Sequence, residues 1–192
     1  LSGDTVLAFE LMPRMSYELA LRHLPNIVEP LETPSPWYVL VELATSSPID
    51  NLRAKLELIL ERAMEAQWVT DGVIAESEAQ RAELWRPREG QAEAGGREGR
   101  VDSCDASVPV SRVSEFIHKC GVMLEQAEPG IRINAFGHMG DGNIHYVMFA
   151  PEPMTPEQWD VRKPDLHAKV EKMVHSFGGS FSAEHGIGSM KR

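Results

Sequence analysis

The chain has 192 residues, 42% of them hydrophobic, which is enough for one sizeable domain or for two small ones that share a core. Its formal net charge of -10 argues against a nucleic-acid-binding protein, because such proteins usually carry a basic face. The sequence contains no long uncharged apolar run, so we expect no membrane span.

The first part of the chain alternates between strand and helix patterns. Residues 5–9 are a short strand candidate, and Pro13 can open the helix that follows. Residues 25–36 hold four prolines and are predicted to be a loop. The almost continuously apolar run at residues 37–44 predicts a strand in the centre of a sheet.

Two helices are predicted next. Residues 47–50, Ser-Pro-Ile-Asp, have the pattern of a helix start, and this helix should run to about Ala66. Its apolar side chains at helical spacing predict a buried stripe, made of Leu52, Leu56, Ile59, Leu60 and Ala63. The second helix begins at Ser77 and should end by Arg86, because Pro87 disfavours α geometry at the residue before it.

A glycine-rich, charged stretch at residues 89–103 divides the chain, and we predict a mobile loop there. A strand is expected at residues 106–110, and Ser111 can cap the helix after it. Thr155 opens another helical region with the pattern of a capping box, and Pro164 should split that region. These elements predict an α+β domain in which helices cover one face of a largely antiparallel sheet, with two ferredoxin-like halves as an open alternative.

Two histidines frame a glycine-rich turn in residues 134–146, which read Asn-Ala-Phe-Gly-His-Met-Gly-Asp-Gly-Asn-Ile-His-Tyr. Apolar β-formers on both sides predict a strand, a turn and a second strand. Such a hairpin would bring His138 and His145 together at its mouth. Two imidazoles can bind a metal, but two ligands are too few for a complete site.

A second motif in residues 178–191 supplies Glu184 and His185 as neighbours, with glycines directly after them. Adjacent residues on an extended segment point to opposite sides. Glu184 can therefore join His138 and His145 in a two-histidine, one-carboxylate metal site that keeps open positions. His185 would then be a base beside the cation.

These two motifs resemble the paired signature of the FAD-linked oxidase C-terminal domain. That domain is the substrate-side half of flavin-dependent 2-hydroxy acid dehydrogenases of the vanillyl-alcohol oxidase superfamily, which act on D-lactate, glycolate or D-2-hydroxyglutarate. Further stretches fall in the family's order, so that the resemblance covers nearly the whole chain: residues 75–78, Leu84-Trp85, Arg88-Glu89 and residues 107–111.

The resemblance implies a function and a set of site residues. Residues 1–192 would be the substrate (cap) domain of an FAD-dependent enzyme that oxidises a D-2-hydroxy acid to the 2-oxo acid, with the FAD-binding domain outside this chain. Glu184 matches the family's ligand for a divalent metal, Zn or Mn, and His185 matches its base. Arg88 matches the arginine that holds the substrate carboxylate. Asn143 would contact cofactor or substrate, or would only form the turn together with Asp141. The isolated chain is expected to be inactive.

The chain departs from the family pattern at three positions. Pro87 replaces an apolar residue next to Arg88. Ser103 stands where the family often has a lysine, and Val147 stands where dicarboxylate-using members have an asparagine. The last two departures favour a small monocarboxylic 2-hydroxy acid as the substrate.

Other functions stay open at this stage. The chain can be a metal-binding module without redox chemistry, either a hydrolase or a structural zinc site, or a dimerisation domain with a decayed site. A homodimer is also expected. Four further histidines have charged or polar neighbours on predicted helices, and we expect all of them at the surface: His23, His118, His167 and His175.

The cysteine content predicts the compartment. Cys104 and Cys120 are too few for a disulfide framework, which favours a reducing compartment such as the cytoplasm, although a bridge between the two stays open. The N-terminus lacks a basic segment followed by an apolar one, so no signal peptide is predicted.

Overall fold

A computed structural model describes residues 2–181 of the chain. Within them the strands are β1 (Val6–Pro13), β2 (Trp37–Leu43), β3 (Val101–Ser107), β4 (Arg132–His138), β5 (Asn143–Phe149) and β6 (Ser180–Phe181). The helices are α1 (Arg14–His23), α2 (Leu52–Glu65), α3 (Glu78–Glu89), α4 (Gln91–Glu98), α5 (Val113–Ala127) and α6 (Pro156–Ser176). The strands form one sheet in the order β2-β1-β4-β5-β3-β6, and every neighbouring pair is antiparallel.

The expected α+β architecture with an antiparallel sheet is confirmed, but helices lie on both faces of the sheet. On β5, Ile144 and Tyr146 belong to the main core, which α5 and α6 complete on one face. Phe149 packs on the other face against Leu19 of α1 and Ala94 of α4. Successive side chains of a strand point to opposite faces, so a strand that is apolar on both faces needs a helix layer on each. We call these the α5–α6 face and the α1–α4 face.

The second half of the chain has the ferredoxin-like order of elements. It runs β3-α5-β4-β5-α6-β6, which is the β-α-β-β-α-β pattern. The first half does not repeat this order within the described residues. It adds β1 and β2 to the β4 side of the same sheet, so only one of the two anticipated halves has the ferredoxin-like pattern.

The predicted loop at residues 89–103 is wrong, because this stretch contains α4 and the first three residues of β3. Ala94 and Gly95 of α4 are buried, and a Cβ on Gly95 would lie only 3.7 Å from the ring of Phe149. Glycine has a low helix propensity, but close packing on the sheet offsets that weakness here. The small side chains that indicated a loop include Ala94, which is buried against Phe149 on β5.

Both prolines that were expected to end or split helices lie inside them. Pro87 is within α3, and Pro164 is within α6. A proline removes one helical hydrogen bond, but α6 buries Trp159 before Pro164 and Val170 after it. Packing on both sides of the proline holds α6 together. The capping box at Thr155 is confirmed, since its hydroxyl accepts from the backbone N–H of Gln158 and the Gln158 side chain accepts from the backbone N–H of Thr155.

Two expectations for the first half are also wrong. β2 is an edge strand that pairs with β1 alone among the described strands, and Val39 on it is 51% exposed. An apolar run does not distinguish a central strand from an edge strand whose outer face is apolar. α2 begins at Leu52, capped by Asn51, and none of its residues is buried in the described chain. No described helix is long and apolar enough to cross a membrane.

Glu98 at the end of α4 joins two other elements. Its carboxylate accepts hydrogen bonds from Arg22 at 2.8 Å and from Arg132 at 2.5 Å, and it contacts His23 at 2.6 Å. Burial raises the pKa of Glu98, but the bonds from His23, Arg132 and Arg22 outweigh burial and lower this pKa to about 2. The charged carboxylate therefore ties α4 to α1 and β4.

This ion cluster predicts a defined loss of stability in acid. The pKa of Glu98 is lower in the folded chain, about 2, than its ordinary value of 4.5, so its contribution is present above pH 4.5 and is lost as the pH falls towards 2. We expect Glu98→Gln to reduce the free energy of unfolding at neutral pH by about 3 kcal/mol and to weaken the acid dependence. Urea unfolding followed by circular dichroism at several pH values measures both effects. Glu93→Gln, on the exposed side of α4, is the control, and an unchanged acid dependence in Glu98→Gln would contradict the assignment.

Candidate active site

The predicted hairpin is present, and its register brings the two motif histidines together. β4 and β5 pair from Arg132 opposite Phe149 to His138 opposite Asn143. The ring centroids of His138 and His145 lie 5.7 Å apart in an edge-to-face arrangement. Gly142 has a φ of +77°, and a Cβ on it would clash with the carbonyl oxygen of Val108. Only glycine meets both demands at this point of the turn.

His138 contacts a buried carboxylate. Its Nδ1 lies 2.7 Å from Oε1 of Glu10 on β1, whose side chain is only 4% exposed. The other oxygen of Glu10 accepts a hydrogen bond of 2.7 Å from Nε of Arg88 on α3. Arg88 also approaches Nε2 of His138 to 3.4 Å. Glu10 therefore holds the imidazole and the guanidinium side by side.

His145 has an equivalent carboxylate on the neighbouring strand. Its Nδ1 lies 3.0 Å from Oδ1 of Asp105 on β3, which is the residue paired with His145 across the two strands. The ring of Phe136 packs at 5.2 Å from the His145 ring, and the guanidinium of Arg88 lies 5.0 Å from the same phenyl centroid. The Phe136 ring thus lies between the guanidinium of Arg88 and the imidazole of His145, and it packs against both groups.

Asn143 lies at the start of β5 on the same side of the strand as His145, because the two residues are two apart. It is 3% exposed, and neither its amide nitrogen nor its amide oxygen has a hydrogen-bond partner within residues 2–181. A buried amide without partners is unfavourable by about 1–3 kcal/mol, so the amide is suited to a bound group that offers a donor and an acceptor. Its backbone N–H bonds to Oδ1 of Asp141 at 3.0 Å, which confirms Asp141 as a turn former.

A buried polar network positions the helix that carries Arg88. Gln91 donates to the backbone oxygens of Ser16 and Pro87, at 3.0 and 2.6 Å, and accepts from the side chain of Asn134 at 2.9 Å. The Ser16 hydroxyl donates to Asn134 at 2.7 Å, and these three polar side chains are all at most 3% exposed. The network joins α1, α4 and β4 and fixes the α3 turn at Pro87, directly before Arg88. Pro87 therefore leaves Arg88 within the site.

Comparison with known proteins agrees with this arrangement. The family described as FAD linked oxidases, C-terminal domain, matches residues 2–192. The chain belongs to this family.

Several curated relatives carry enzyme names. The D-2-hydroxyglutarate dehydrogenase of Xanthomonas citri pv. viticola is 34% identical over 185 residues, which are 96% of this chain and 38% of the relative. The mitochondrial D-2-hydroxyglutarate dehydrogenase of Arabidopsis thaliana is 34% identical over 193 residues, 98% of this chain and 32% of the relative. A protein of Schizosaccharomyces pombe, named as a candidate mitochondrial D-lactate dehydrogenase, is 33% identical over 195 residues, 96% of this chain and 36% of the relative. The chain thus spans about a third of the length of these relatives.

Two of the three predicted metal ligands, His138 and His145, lie side by side within the described residues. The Glu10 carboxylate at Nδ1 of His138 favours the tautomer whose Nε2 carries the lone pair, and metal-binding histidines usually have such a partner. The contact of Arg88 with Nε2 of His138, at 3.4 Å, is long for a hydrogen bond, so little is lost when a cation uses that lone pair. Glu184 and His185, the other predicted members of the site, lie outside the described residues.

Sequence reasoning missed three residues that shape the site: Glu10, Asp105 and Gln91. For Glu10 and Asp105 the signal was an acidic residue directly beside a predicted strand, the former after residues 5–9 and the latter before residues 106–110, where a charge requires a partner if the strand is buried. Gln91 lay in the stretch that was assigned to a loop, so no buried role was considered.

The expectation for the remaining histidines is half right. His118 and His175 are exposed, as predicted. His23 and His167 are not, since their side chains are only 19% and 21% exposed and each contacts a carboxylate. The acidic partner comes from a distant part of the chain in both cases, which helical position alone does not reveal.

The double role of Glu10 predicts a large effect on stability. Glu10→Gln removes the charge that compensates Arg88, whose side chain is 11% exposed. Breaking a buried ion pair from one side is unfavourable by about 3–5 kcal/mol, and we expect a loss of about 3 kcal/mol in the free energy of unfolding, measured with urea. Glu18→Gln, which removes a surface pair with Arg14, should change it by less than about 1 kcal/mol. Equal effects of the two substitutions would show that Glu10 is not the compensating charge.

Proposed function

We propose that this chain is the substrate-binding and catalytic half of an FAD-dependent dehydrogenase that oxidises a D-2-hydroxy acid to the 2-oxo acid. The observation that carries the proposal is the assembly of His138, His145 and Arg88 on one face of the sheet, in a chain that belongs to the FAD linked oxidase family. Relatives named D-2-hydroxyglutarate and D-lactate dehydrogenases support this reaction class.

Arg88 is the proposed ligand of the substrate carboxylate. A planar guanidinium offers paired N–H donors that match the two oxygens of a carboxylate. Glu10 uses the Nε edge of Arg88, so the terminal nitrogens remain on the side of His138. Charge balance at the buried Glu10–Arg88 pair keeps the arginine at this position before the substrate arrives.

His185 is the proposed base. During oxidation the C2–H bond breaks, the substrate hydroxyl gives its proton to His185, and the carbonyl bond forms. FAD, held by a part of the protein beyond these 192 residues, supplies the acceptor for the hydride and its electron pair. The amide of Asn143, which has no hydrogen-bond partner among residues 2–181, is the proposed contact of this chain to the cofactor or to the substrate.

His138, His145 and Glu184 are the proposed ligands of a divalent cation, Zn or Mn. Such a cation acts as a Lewis acid and lowers the pKa of a hydroxyl bound to it. The Glu10 carboxylate at Nδ1 of His138 supports this proposal, because it orients the ring and raises its basicity, and Asp105 lies 3.0 Å from Nδ1 of His145.

The substrate is proposed to carry a single carboxylate. Ser103 and Val147, which stand where the resemblance places a lysine and an asparagine, are directly opposite each other on β3 and β5. They lie on the same side of these strands as Asp105 and His145. One patch beside the histidines therefore lacks both polar groups that would bind a second carboxylate.

The other functions considered from the sequence are less favoured. A hydrolase or a structural zinc site accounts for the histidines but not for the family membership. The cytoplasmic location and the homodimer stay predictions, and some relatives are named as mitochondrial.

Flavin reduction tests the proposed reaction directly. In the full-length protein, D-2-hydroxy acids should bleach the flavin in anaerobic stopped-flow measurements. General-base catalysis contributes about 10²–10⁴-fold, so His185→Ala should slow the reduction by at least about 100-fold. Arg88→Lys keeps the charge beside Glu10 but loses the paired donors, and we expect it to raise KM by about 10-fold or more.

Two outcomes would reject parts of this proposal. Unchanged flavin reduction in His185→Ala would remove His185 as the base. A flavin that no D-2-hydroxy acid reduces, in a protein that binds FAD, would reject the reaction itself. His175→Ala changes an exposed histidine of α6 and serves as the matched control.

The Ser103–Val147 patch predicts substrate preference. The full-length protein should prefer D-lactate to D-2-hydroxyglutarate in kcat/KM. The double variant Ser103→Lys, Val147→Asn should shift this ratio towards the dicarboxylate by about 10-fold or more, the effect of one charged hydrogen bond. The control is Val39→Lys, at an exposed position on the edge strand β2. It adds the same charge elsewhere and should leave the ratio of the two kcat/KM values unchanged. A parent protein that already prefers the dicarboxylate would contradict the assignment.

A further inference from the structure

Three potential metal ligands converge between β3 and α6, away from the motif histidines. Oδ2 of Asp102 lies 2.8 Å from Nδ1 of His167, and Sγ of Cys104 lies 3.3 Å from the same nitrogen. One ligand atom from each of the three residues lies within 4.8 Å of the other two. Cys104 is 2% exposed, whereas the side chains of Asp102 and His167 are each 21% exposed. The cluster therefore sits at the edge of the core with one side near solvent.

This cluster is separate from the proposed active site. Cys104 and Asp105 are consecutive residues of β3, so their side chains point to opposite faces of the sheet. Cys104 belongs to the core on the α5–α6 face, and Asp105 contacts His145 on the α1–α4 face. A ligand bound at one cluster does not share donors with a ligand at the other.

We propose that Asp102, Cys104 and His167 form a second metal site, which binds a divalent cation of the Zn²⁺ class. A thiolate, an imidazole and a carboxylate suit Zn²⁺ and its chemical neighbours, whereas Mg²⁺ and Ca²⁺ prefer oxygen ligands alone. Three protein ligands leave one position of a tetrahedron for water.

The ligand distances are close to those of a tetrahedral site. Metal bonds of about 2.0–2.3 Å place an imidazole nitrogen roughly 3.3 Å from a carboxylate oxygen and roughly 3.6 Å from a sulfur. The observed separations of 2.8 and 3.3 Å are shorter by a few tenths of an ångström. Small rotations of the two partly buried side chains, Asp102 and His167, are enough to admit the ion.

The geometry disfavours the obvious alternative, a nucleophilic cysteine activated by a histidine. In such a triad the two ring nitrogens of the histidine face different partners. Here Asp102 and Cys104 both contact Nδ1 of His167. The burial of Cys104 also keeps its sulfur away from a substrate. A carboxylate oxygen and a sulfur that both approach one ring nitrogen are placed so that one cation can bind all three groups.

A cation at this site would fasten α6 to β3. The ring of His167 packs edge-on against Phe181 of β6, with centroids 5.3 Å apart. β6 leads directly into the part of the sequence that contains Glu184 and His185. The second site therefore secures the element from which the motif with the proposed base continues.

Cobalt substitution tests the proposal, because Co²⁺ bound to a thiolate has an absorption band that Co²⁺ bound at His138 and His145 would lack. The full-length protein is stripped of metal with a chelator and titrated with Co²⁺, and a thiolate-to-cobalt charge-transfer band is followed in the near ultraviolet. The proposed site at His138, His145 and Glu184 has no sulfur, so it does not contribute to this band. We expect one thiolate-bound Co²⁺ per chain, and Zn²⁺ should displace it.

Matched variants assign the band to its residues. Loss of an outer-shell partner alone weakens metal affinity by about 10–100-fold, so His167→Gln should weaken Co²⁺ binding at this site by at least about 100-fold, and Cys104→Ser should abolish the band. Cys120→Ser is the control, because burial raises the pKa of the Cys120 thiol to about 12 and keeps it protonated. His145→Ala should also retain the band, which separates this site from the proposed active site.

Three results would overturn the proposal. They are the absence of a thiolate band when the metal-free parent protein is titrated with Co²⁺, a band that survives Cys104→Ser, and a band that is unchanged in His167→Gln. His167→Gln leaves the core residue Cys104 in place, so a folded protein, verified by circular dichroism, is available even if Cys104→Ser is unstable. The cobalt titration does not depend on flavin reduction. Its result therefore tests the second metal site independently of the proposed enzyme function.

Discussion

Glu10 places a carboxylate in the interior of the protein, where each of its two oxygens has a different partner. One oxygen faces Nδ1 of His138 and the other accepts from Nε of Arg88, both at 2.7 Å. A buried charge is tolerated only when it is paired and hydrogen-bonded. Three elements that are distant in sequence, β1, α3 and β4, are therefore locked to one another at the point where the proposed chemistry takes place. Stability and the proposed function depend on the same contact, since the buried ion pair with Glu10 also holds Arg88 beside His138.

The two faces of the sheet differ in the side chains that they bury. On the α5–α6 face the strands contribute apolar side chains to the main core. On the α1–α4 face the buried groups include polar residues that are satisfied by one another, as in the network of Ser16, Gln91 and Asn134. Buried polar networks are favourable only when their members are paired, and then they specify one arrangement. The apolar face supplies much of the stability, and the polar face fixes the positions of the site residues.

The sequence predicted those features that depend on local chemistry. Glycines with an Asp and an Asn between two apolar segments identify the hairpin, and Thr155 with Gln158 identifies a capping box, because nearby residues alone decide both structures. The helix α4 escaped prediction because its stability comes from packing Ala94 and Gly95 against a strand some fifty residues away in the sequence, near Phe149. The edge position of β2 escaped for the same reason, since strand order is a property of the whole sheet. The residues of the candidate site also differ in whether nearby or distant parts of the sequence determine their role. The histidines were visible as a motif, whereas Glu10 and Asp105 acquire their meaning only when β1 and β3 are placed beside the hairpin.

The guanidinium of Arg88 has to serve two carboxylates if it binds a substrate. Its planar fork makes this feasible, because the five N–H donors point along separate edges. Glu10 occupies the Nε edge, and Phe136 covers one face of the plane at 5.0 Å. The contact of Nη2 with His138 is long, at 3.4 Å, so the terminal edge is the part of the group that a substrate can take over at little loss. A lysine at this position would offer a point charge that Glu10 alone would satisfy. The arginine keeps directional donors towards His138 after its charge has been balanced, so the buried ion pair is compatible with the proposed role of Arg88 in substrate binding.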